Sequence, residues 1–127
     1  MDFCDLSARY IEALQKGELQ EILELFAADA QVVSPVYGRL DAHKFYTSLL
    51  ADTKSSQLQL HHNICDREGR KMAVYFTYHW TLKDDSQLIF VVVDILVLDD
   101  NDKIKGLTII YDSRETSKKI ASLRQQE

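Results

Sequence analysis

Two polar residues in otherwise apolar settings are the first candidates for chemistry in this sequence. Asp94 interrupts the segment 88–98, in which all ten remaining residues are apolar. A strand that is apolar on both faces is covered on both, so we expect the Asp94 carboxyl to be buried, hydrogen-bonded or protonated, and raised in pKa. A protonated carboxyl can donate a hydrogen bond to a ligand oxygen. The alternative is a structural carboxylate that pairs with a buried donor.

Tyr10 is the second candidate. It lies between Leu6 and Leu14 on a stripe of apolar residues that recur at helical spacing. Such a position carries its hydroxyl inward, where the hydroxyl needs a partner. Tyr10 is therefore either a functional hydroxyl or a core tyrosine that bonds to the backbone.

The elements that must position these residues are helices first and strands afterwards. Apolar residues at helical spacing predict helices in the N-terminal part, and alternating, β-branched and aromatic runs predict strands in the rest. This order indicates an α+β domain over residues 1–112 with an antiparallel sheet, followed by a polar helix or tail over 113–127. The predicted helices are 3–16, 18–27 and 42–51, and the predicted strands are 31–34, 57–66, 71–83, 87–98 and 103–111.

Composition excludes several classes of function. The net charge is −5 with dispersed basic residues, which disfavours nucleic-acid binding. No apolar segment is long enough to span a membrane, and the acidic start lacks the layout of a signal peptide, so a cytoplasmic location is expected. Cys4 and Cys65 match no metal or redox spacing and are predicted to be free thiols in a reducing compartment. The adjacent His61 and His62 point to opposite faces of a strand, so no metal and no cofactor are expected.

A series of short motifs extends along the chain, at residues 9–14, Gly17, 25–27, 29–30, 35–36, Gly38, 93–96 and 103–104. In order and spacing these motifs resemble those of ketosteroid isomerases and the wider SnoaL-like group of the nuclear-transport-factor-2-like (NTF2-like) superfamily. This resemblance implies a cone in which three N-terminal helices pack on a curved, mainly antiparallel sheet. It also implies that a tyrosine of the first helix, here Tyr10, and a protonated aspartate of a late strand, here Asp94, polarise a substrate carbonyl.

The general base of the isomerases does not appear at its position. That family has an aspartate immediately before the proline that ends the first strand, and here Ser34 precedes Pro35. A serine hydroxyl is not basic enough near neutral pH to replace it. His62 shares a predicted strand face with Leu58 and Leu60, so it is either a substitute base that faces inward or a core histidine.

The residues around Asp94 predict the walls of a pocket. Strand alternation places Phe90, Val92 and Leu96 beside it, and further aromatic residues occupy mostly apolar faces, although plain core packing also explains them. The opposite face of 88–98 is apolar too, and by the resemblance it forms a homodimer. The predicted substrate-binding residues are Ser34, Tyr78, Trp80, Phe90, Val92, Leu96 and Tyr111.

Two functions of different classes are consistent with these patterns. The first is a pocket that binds a hydrophobic small molecule through a carbonyl, enol or phenol oxygen, in an isomerase, cyclase or hydrolase relative with an altered base. The second is a non-catalytic, dimeric module that binds a ligand or a protein. Tyr10 with Asp94 favours the first, and Ser34 favours the second.

Overall fold

A computed structural model of the chain describes residues 3–125. A short 3₁₀ turn, Phe3–Asp5, precedes four α-helices and six β-strands. The helices are α1 (Leu6–Lys16), α2 (Leu19–Leu23), α3 (Ala42–Asp52) and α4 (Arg114–Gln125). The strands are β1 (Phe26–Ser34), β2 (Gly38–Asp41), β3 (Thr53–Asp66), β4 (Lys71–Leu82), β5 (Gln87–Leu98) and β6 (Ile104–Ile110).

All six strands form one open sheet in the order β2-β1-β6-β5-β4-β3. β1 and β6 are parallel, and every other neighbouring pair is antiparallel. Helices α1 and α3 pack against one face of this sheet, which we call the inner face. The arrangement is the α+β cone expected from the sequence. Along β4 the inner face carries six buried side chains, Met72, Val74, Phe76, Tyr78, Trp80 and Leu82.

The two long helices begin and end where their sequences indicate. Helix α1 ends at Gly17, whose φ of +74° is a left-handed conformation that glycine adopts without strain, and whose N–H donates to Ala13 O. Helix α3 begins after Asp41, whose Oδ1 accepts from the N–H of Lys44 at 2.8 Å. These caps define one end of each of the helices that carry Tyr10 and Tyr46.

An irregularity in β3 reverses the alternation of its side chains between the two faces of the sheet, and two predictions from the sequence are wrong as a result. The register shifts between Leu60, which pairs with Phe76, and His62, which pairs with Tyr75. An extra residue in one strand turns all later side chains to the other face. His62 is consequently exposed on the outer face and stacks on the Tyr75 ring at 5.9 Å, so the expectation that it faces inward is wrong.

The same shift brings Cys65 toward the N-terminus. Cys65 forms a disulfide with Cys4, so the prediction of two free thiols is wrong and the cysteines no longer support a reducing compartment. Asn63, on the same side of β3, donates from Nδ2 to Cys4 O at 2.8 Å. Together these contacts attach the start of α1 to the sheet.

Two other boundaries differ from the prediction because of contacts between distant segments. The predicted helix 18–27 ends at Leu23, since Phe26 pairs with Ile104 in β6 and the N–H of Ile104 donates to Leu25 O at 2.9 Å. Residues 26–30 therefore extend β1, which was expected to start at residue 31. Residues 38–41, expected to be loop, form β2.

The C-terminal segment forms a docked helix rather than a tail. Helix α4 buries Thr116, Ile120 and Leu123. Arg124 and Lys119 of α4 form ion pairs with Asp52 and Asp84. Within residues 3–125, no helix is long and apolar enough to cross a membrane.

The disulfide is expected to contribute measurably to stability. Cys4 and Cys65 are 61 positions apart, and opening so long a loop restores entropy to the unfolded chain. The Cys4→Ser/Cys65→Ser double variant should lose about 2–4 kcal/mol of unfolding free energy in urea titrations. Reduced wild-type protein should match the variant, and the variant itself should not respond to reductant. Equal stability of oxidised and reduced wild-type protein would contradict this expectation.

Candidate functional site

The inner face of the sheet and helices α1 and α3 enclose one apolar cavity near the middle of the domain. Water-sized molecules can occupy about 50 Å³ of it. Its wall combines aromatic rings with very few polar atoms, which is typical of small-molecule sites. The lining residues are Tyr10, Leu14, Ser34, Tyr37, Phe45, Tyr46, Leu49, Phe76, Tyr78, Trp80, Phe90, Val92, Asp94, Ile109 and Tyr111.

Three buried polar side chains meet at the cavity. Tyr10 donates its hydroxyl hydrogen to Asp94 Oδ2 at 2.6 Å, and the hydroxyls of Tyr10 and Tyr46 are 3.3 Å apart. Each of the three residues is at most 1% exposed. A hydroxyl has one hydrogen, so while Tyr10 donates to Asp94 its oxygen can only accept, and Tyr46 is then the donor to it. The hydrogen bonds run in one direction, from Tyr46 through Tyr10 to Asp94.

Burial controls the protonation of this group. It raises the pKa of Asp94 from 3.8 to about 7, against the opposing effect of the hydrogen bond from Tyr10. The expectation of a raised pKa for Asp94 is confirmed. Burial first, and then the nearby Asp94 charge, raise the pKa of Tyr10 well above 10.0. Burial also raises the pKa of Tyr46 well above its ordinary value. Both tyrosines therefore keep their hydrogens at neutral pH, whereas Asp94 is close to its midpoint.

The second carboxyl oxygen of Asp94 is chemically open. Oδ1 is buried, and no group within residues 3–125 forms a hydrogen bond with it. An unsatisfied buried carboxyl oxygen is costly, on the order of 1–3 kcal/mol, unless a ligand or water supplies a partner. When Asp94 is protonated on Oδ1 this atom donates a hydrogen bond, and when ionised it accepts one.

Aromatic rings form the wall opposite α1. Phe90 lies between Tyr78, whose ring is parallel to it with centroids 5.5 Å apart, and Tyr111 at 4.6 Å. Their polar atoms are largely engaged outside the cavity. Tyr78 shares a hydrogen bond of 2.9 Å with Ser56 Oγ, and Trp80 Nε1 donates to Thr53 Oγ1 at 2.7 Å. Burial raises the pKa of Tyr78 to about 12. The rings thus offer mainly apolar surface.

The other predicted site residues divide into those inside and those outside the cavity. Ser34 and Val92 line it, and Ser34 Oγ accepts from the N–H of Tyr37 at 3.0 Å. Leu96 shares the inner face with Asp94 and packs in the core, but it is not among the residues that line the cavity. His62 lies on the outer face, as described above. No group of three His, Cys, Asp or Glu side chains in the described chain is placed to hold a metal ion.

Sequence reasoning missed Tyr46 and Tyr37. Tyr46 follows Ala42 and precedes Leu49 on the buried side of α3, so its position four residues after Ala42 was the available signal. The segment 35–37 was interpreted as a break between elements, and nothing in it indicated that Tyr37 turns inward. Both tyrosines become part of the site only because the fold brings α3 and the segment after β1 to the same cavity as Asp94.

Comparisons with known proteins agree with this architecture. The family model described as a SnoaL-like domain matches residues 7–107. A monooxygenase of Aspergillus aculeatus, AacuO, is 36% identical over an alignment of 74 positions that covers 53% of this chain and 46% of the relative. The chain therefore spans about half the length of that curated relative.

Two solved structures have the same NTF2-like fold. PrhC of Penicillium brasilianum superposes with a TM-score of 0.80 at 12% identity, over 98% of this chain and 90% of its own. The BvnE pinacolase of Penicillium brevicompactum gives a TM-score of 0.79 at 14% identity, over 99% and 93%. At these identities the likeness establishes the fold alone.

The raised pKa of Asp94 predicts a dependence of stability on pH. In the unfolded chain this carboxyl releases its proton near 3.8, and in the folded protein near 7, so the folded state holds the extra proton in between. Its contribution to stability is therefore complete below about pH 4 and is lost as the pH rises through about 7. The difference amounts to on the order of 4 kcal/mol.

Urea unfolding of wild type and Asp94→Asn between pH 4 and pH 8 measures this effect. Wild type should lose more stability over this range than the variant, because asparagine has no proton to release. All other titrating groups are common to both proteins, so the difference between the two profiles isolates Asp94. Parallel profiles would contradict the prediction.

Proposed function

We propose, from the premise that the chain belongs to the SnoaL-like domain family, that its cavity binds a hydrophobic small molecule through a carbonyl, enol or phenol oxygen. The observation that carries this proposal is the open Oδ1 of Asp94, which is buried in an apolar cavity while Oδ2 accepts from Tyr10. A ligand oxygen placed at Oδ1 completes the hydrogen bonding of the carboxyl.

The three polar groups then act in series on that oxygen. Tyr46 donates to Tyr10, Tyr10 donates to Asp94, and the protonated Asp94 donates to the ligand. Each donor withdraws electron density from the next, so negative charge that develops on the ligand oxygen is stabilised in a site of low dielectric constant. This refines the expectation of two parallel donors, because the hydrogen of Tyr10 is already committed to Asp94.

Acid assistance without a strong base defines the class of reaction that we propose. Among the described lining residues Asp94 is the sole carboxyl, and none is a histidine. Ser34, at the position of the isomerase base, accepts a hydrogen bond from Tyr37 and has no basic partner among them. Cyclisation or hydrolysis assisted by protonation of a ligand oxygen suits this set better than proton transfer between two carbons. The alternative is a module that binds the same ligands without turnover.

The first test is a titration with phenols and naphthols, which present one oxygen on an apolar ring. Wild type should bind at least one of them saturably, and Asp94→Asn and Tyr10→Phe should weaken binding roughly tenfold or more, since each removes a charge-assisted or relayed hydrogen bond. Isothermal titration calorimetry or the change in phenol absorbance measures the affinity.

Two matched variants control for the substitutions themselves. Asp100→Asn changes an exposed carboxyl in the β5–β6 turn, and Tyr75→Phe removes a hydroxyl on the outer sheet face. Both should bind like wild type. Binding that is indifferent to Asp94→Asn and Tyr10→Phe would leave this pair a structural role and direct the search to partner proteins. Binding without turnover of carbonyl or epoxide compounds would favour the non-catalytic module.

We also propose that the outer face of the sheet forms a homodimer. Three large apolar side chains are exposed on this face: Ile89 at 65%, Val91 at 49% and Ile110 at 52%. Neighbouring apolar side chains at this exposure are unfavourable in water and are typical of an interface. A face apposed to its own copy buries the same residues twice around a two-fold axis.

A charge placed in this face is expected to separate the subunits. Val91→Lys should convert a dimer to a monomer in sedimentation-velocity experiments, because burying two unpaired ammonium groups costs more than the interface gains. Glu12→Lys adds positive charge on the exposed side of α1 and should leave the oligomeric state unchanged. A wild-type protein that is monomeric at high concentration would overturn the dimer proposal.

A further inference from the structure

We propose that Tyr37 is a hydrogen-bond acceptor for the ligand, held in that role by Asp52 and Arg124, so that the ligand carries an O–H or N–H donor in addition to the oxygen bound by Asp94. This inference rests on the proposed function of the same cavity and narrows its ligands to bifunctional compounds, such as hydroxylated phenols and hydroxycarbonyls. It also gives helix α4 a part in the site.

An ion pair between a half-exposed Arg124 and a buried Asp52 connects α4 to the end of α3. Asp52 is 1% exposed. Arg124 of α4 donates from Nη1 to Oδ1 and from Nη2 to Oδ2, each at 2.8 Å. Lys83 Nζ lies 3.9 Å from Oδ1. Two parallel N–H donors on a carboxylate fix both its position and its orientation.

Asp52 is ionised in this setting. Burial alone would raise its pKa, but the hydrogen bonds from Arg124 and Tyr37 and the charges of Arg124 and Lys83 outweigh burial and lower the pKa. An ionised carboxylate can only accept hydrogen bonds. The hydroxyl of Tyr37, 2.6 Å from Oδ2, must therefore be the donor.

This contact determines what Tyr37 can offer to a ligand. Its single hydroxyl hydrogen is directed at Asp52, so the oxygen presents lone pairs only. Burial and the contact with Asp52 raise its pKa, which keeps the hydrogen in place at neutral pH. Tyr37 is one of the residues that line the cavity, and its ring packs edge-on against Phe45, with centroids 5.7 Å apart and planes at 89°. A cavity ligand that reaches this hydroxyl is stabilised by donating to it.

The acceptor lies across the cavity from Asp94. Val33 of β1 pairs with Thr108 of β6, and Asp94 of β5 pairs with Ile109, so Ser34 and Asp94 lie in one row with β6 between them. Two strand spacings separate their Cα atoms by roughly 10 Å. Tyr37 follows at the Ser34 end, through its N–H bond to Ser34 Oγ. The cavity thus has a donor at the Asp94 end and an acceptor at the Tyr37 end.

Dihydroxybenzenes and their monomethyl ethers test this arrangement of one hydrogen-bond donor and one acceptor. Catechol, resorcinol and hydroquinone each keep one hydroxyl for Asp94 and place the second at a different distance, and methylation removes the second hydrogen while keeping its oxygen. In wild type at least one diol should bind roughly fivefold or more tightly than its ether, the value of one hydrogen bond. Calorimetric titration gives the diol-to-ether ratio.

Variants separate the acceptor from the size of the added methyl group. Tyr37→Phe should bring the ratio close to one, because no acceptor is left, and Arg124→Gln should lower it, because Asp52 no longer orients the hydroxyl. Lys119→Gln breaks a different ion pair of α4, with Asp84 at 2.7 Å, and should leave the ratio unchanged. A purely structural role of Arg124 would weaken diol and ether equally, so the ratio distinguishes positioning from stability.

The possible failures are distinguishable. If diols show no preference over their ethers, or if the preference survives Tyr37→Phe, the acceptor role is overturned while binding through Asp94 stands. If no phenol binds at all, the proposed function is overturned and this inference with it. A ratio that falls in Lys119→Gln as much as in Arg124→Gln overturns the role of Arg124.

Discussion

The hydrogen bond between Tyr10 and Asp94 is the contact on which the arrangement of this domain depends. A carboxyl in the middle of the sheet is removed from bulk water, and leaving it without a donor costs on the order of 1–3 kcal/mol. The hydroxyl from α1 supplies that donor at 2.6 Å, so the helix is held at one height over β5. The disulfide between Cys4 and Cys65 secures the start of the same helix to β3. The need of the buried Asp94 for a hydrogen-bond donor therefore positions helix α1 on the sheet.

The cavity follows from what this contact leaves incomplete. Within residues 3–125, only one oxygen of Asp94 has a hydrogen-bond partner, and the other faces a cavity lined largely by aromatic rings, which cannot replace a hydrogen bond. Tyr37 also lines the cavity, and its hydroxyl donates its hydrogen to Asp52. Small-molecule sites of this kind obtain affinity from apolar walls and orientation from a few polar atoms. In this member of the SnoaL-like family we propose that the polar atoms at the two ends differ, with a hydrogen-bond donor at Asp94 and an acceptor at Tyr37.

Much of this could be predicted from local patterns. The strand 87–98 was predicted with the bounds that the structure has, since β-branched residues between polar turns leave few alternatives. Asp94 was identified because a single carboxyl in an apolar strand has to be explained chemically. Its tyrosine partner followed from the helical stripe of α1 together with a family resemblance. Periodicity alone located both side chains on buried faces, but it did not show that they touch.

Local patterns in the sequence specify most of the helices and strands, the buried faces of β4 and β5 and the presence of a buried acid, because propensity and periodicity act over a few neighbouring residues. Tertiary structure decided which distant groups meet. The register shift in β3 turned His62 outward and Cys65 inward, since one added residue reverses every later side chain. Arg124 reaches the buried Asp52 because α4 docks beside it, a contact across 72 positions that no local pattern encodes. Packing between remote segments likewise brought Tyr10, Tyr46 and Asp94 together in one site.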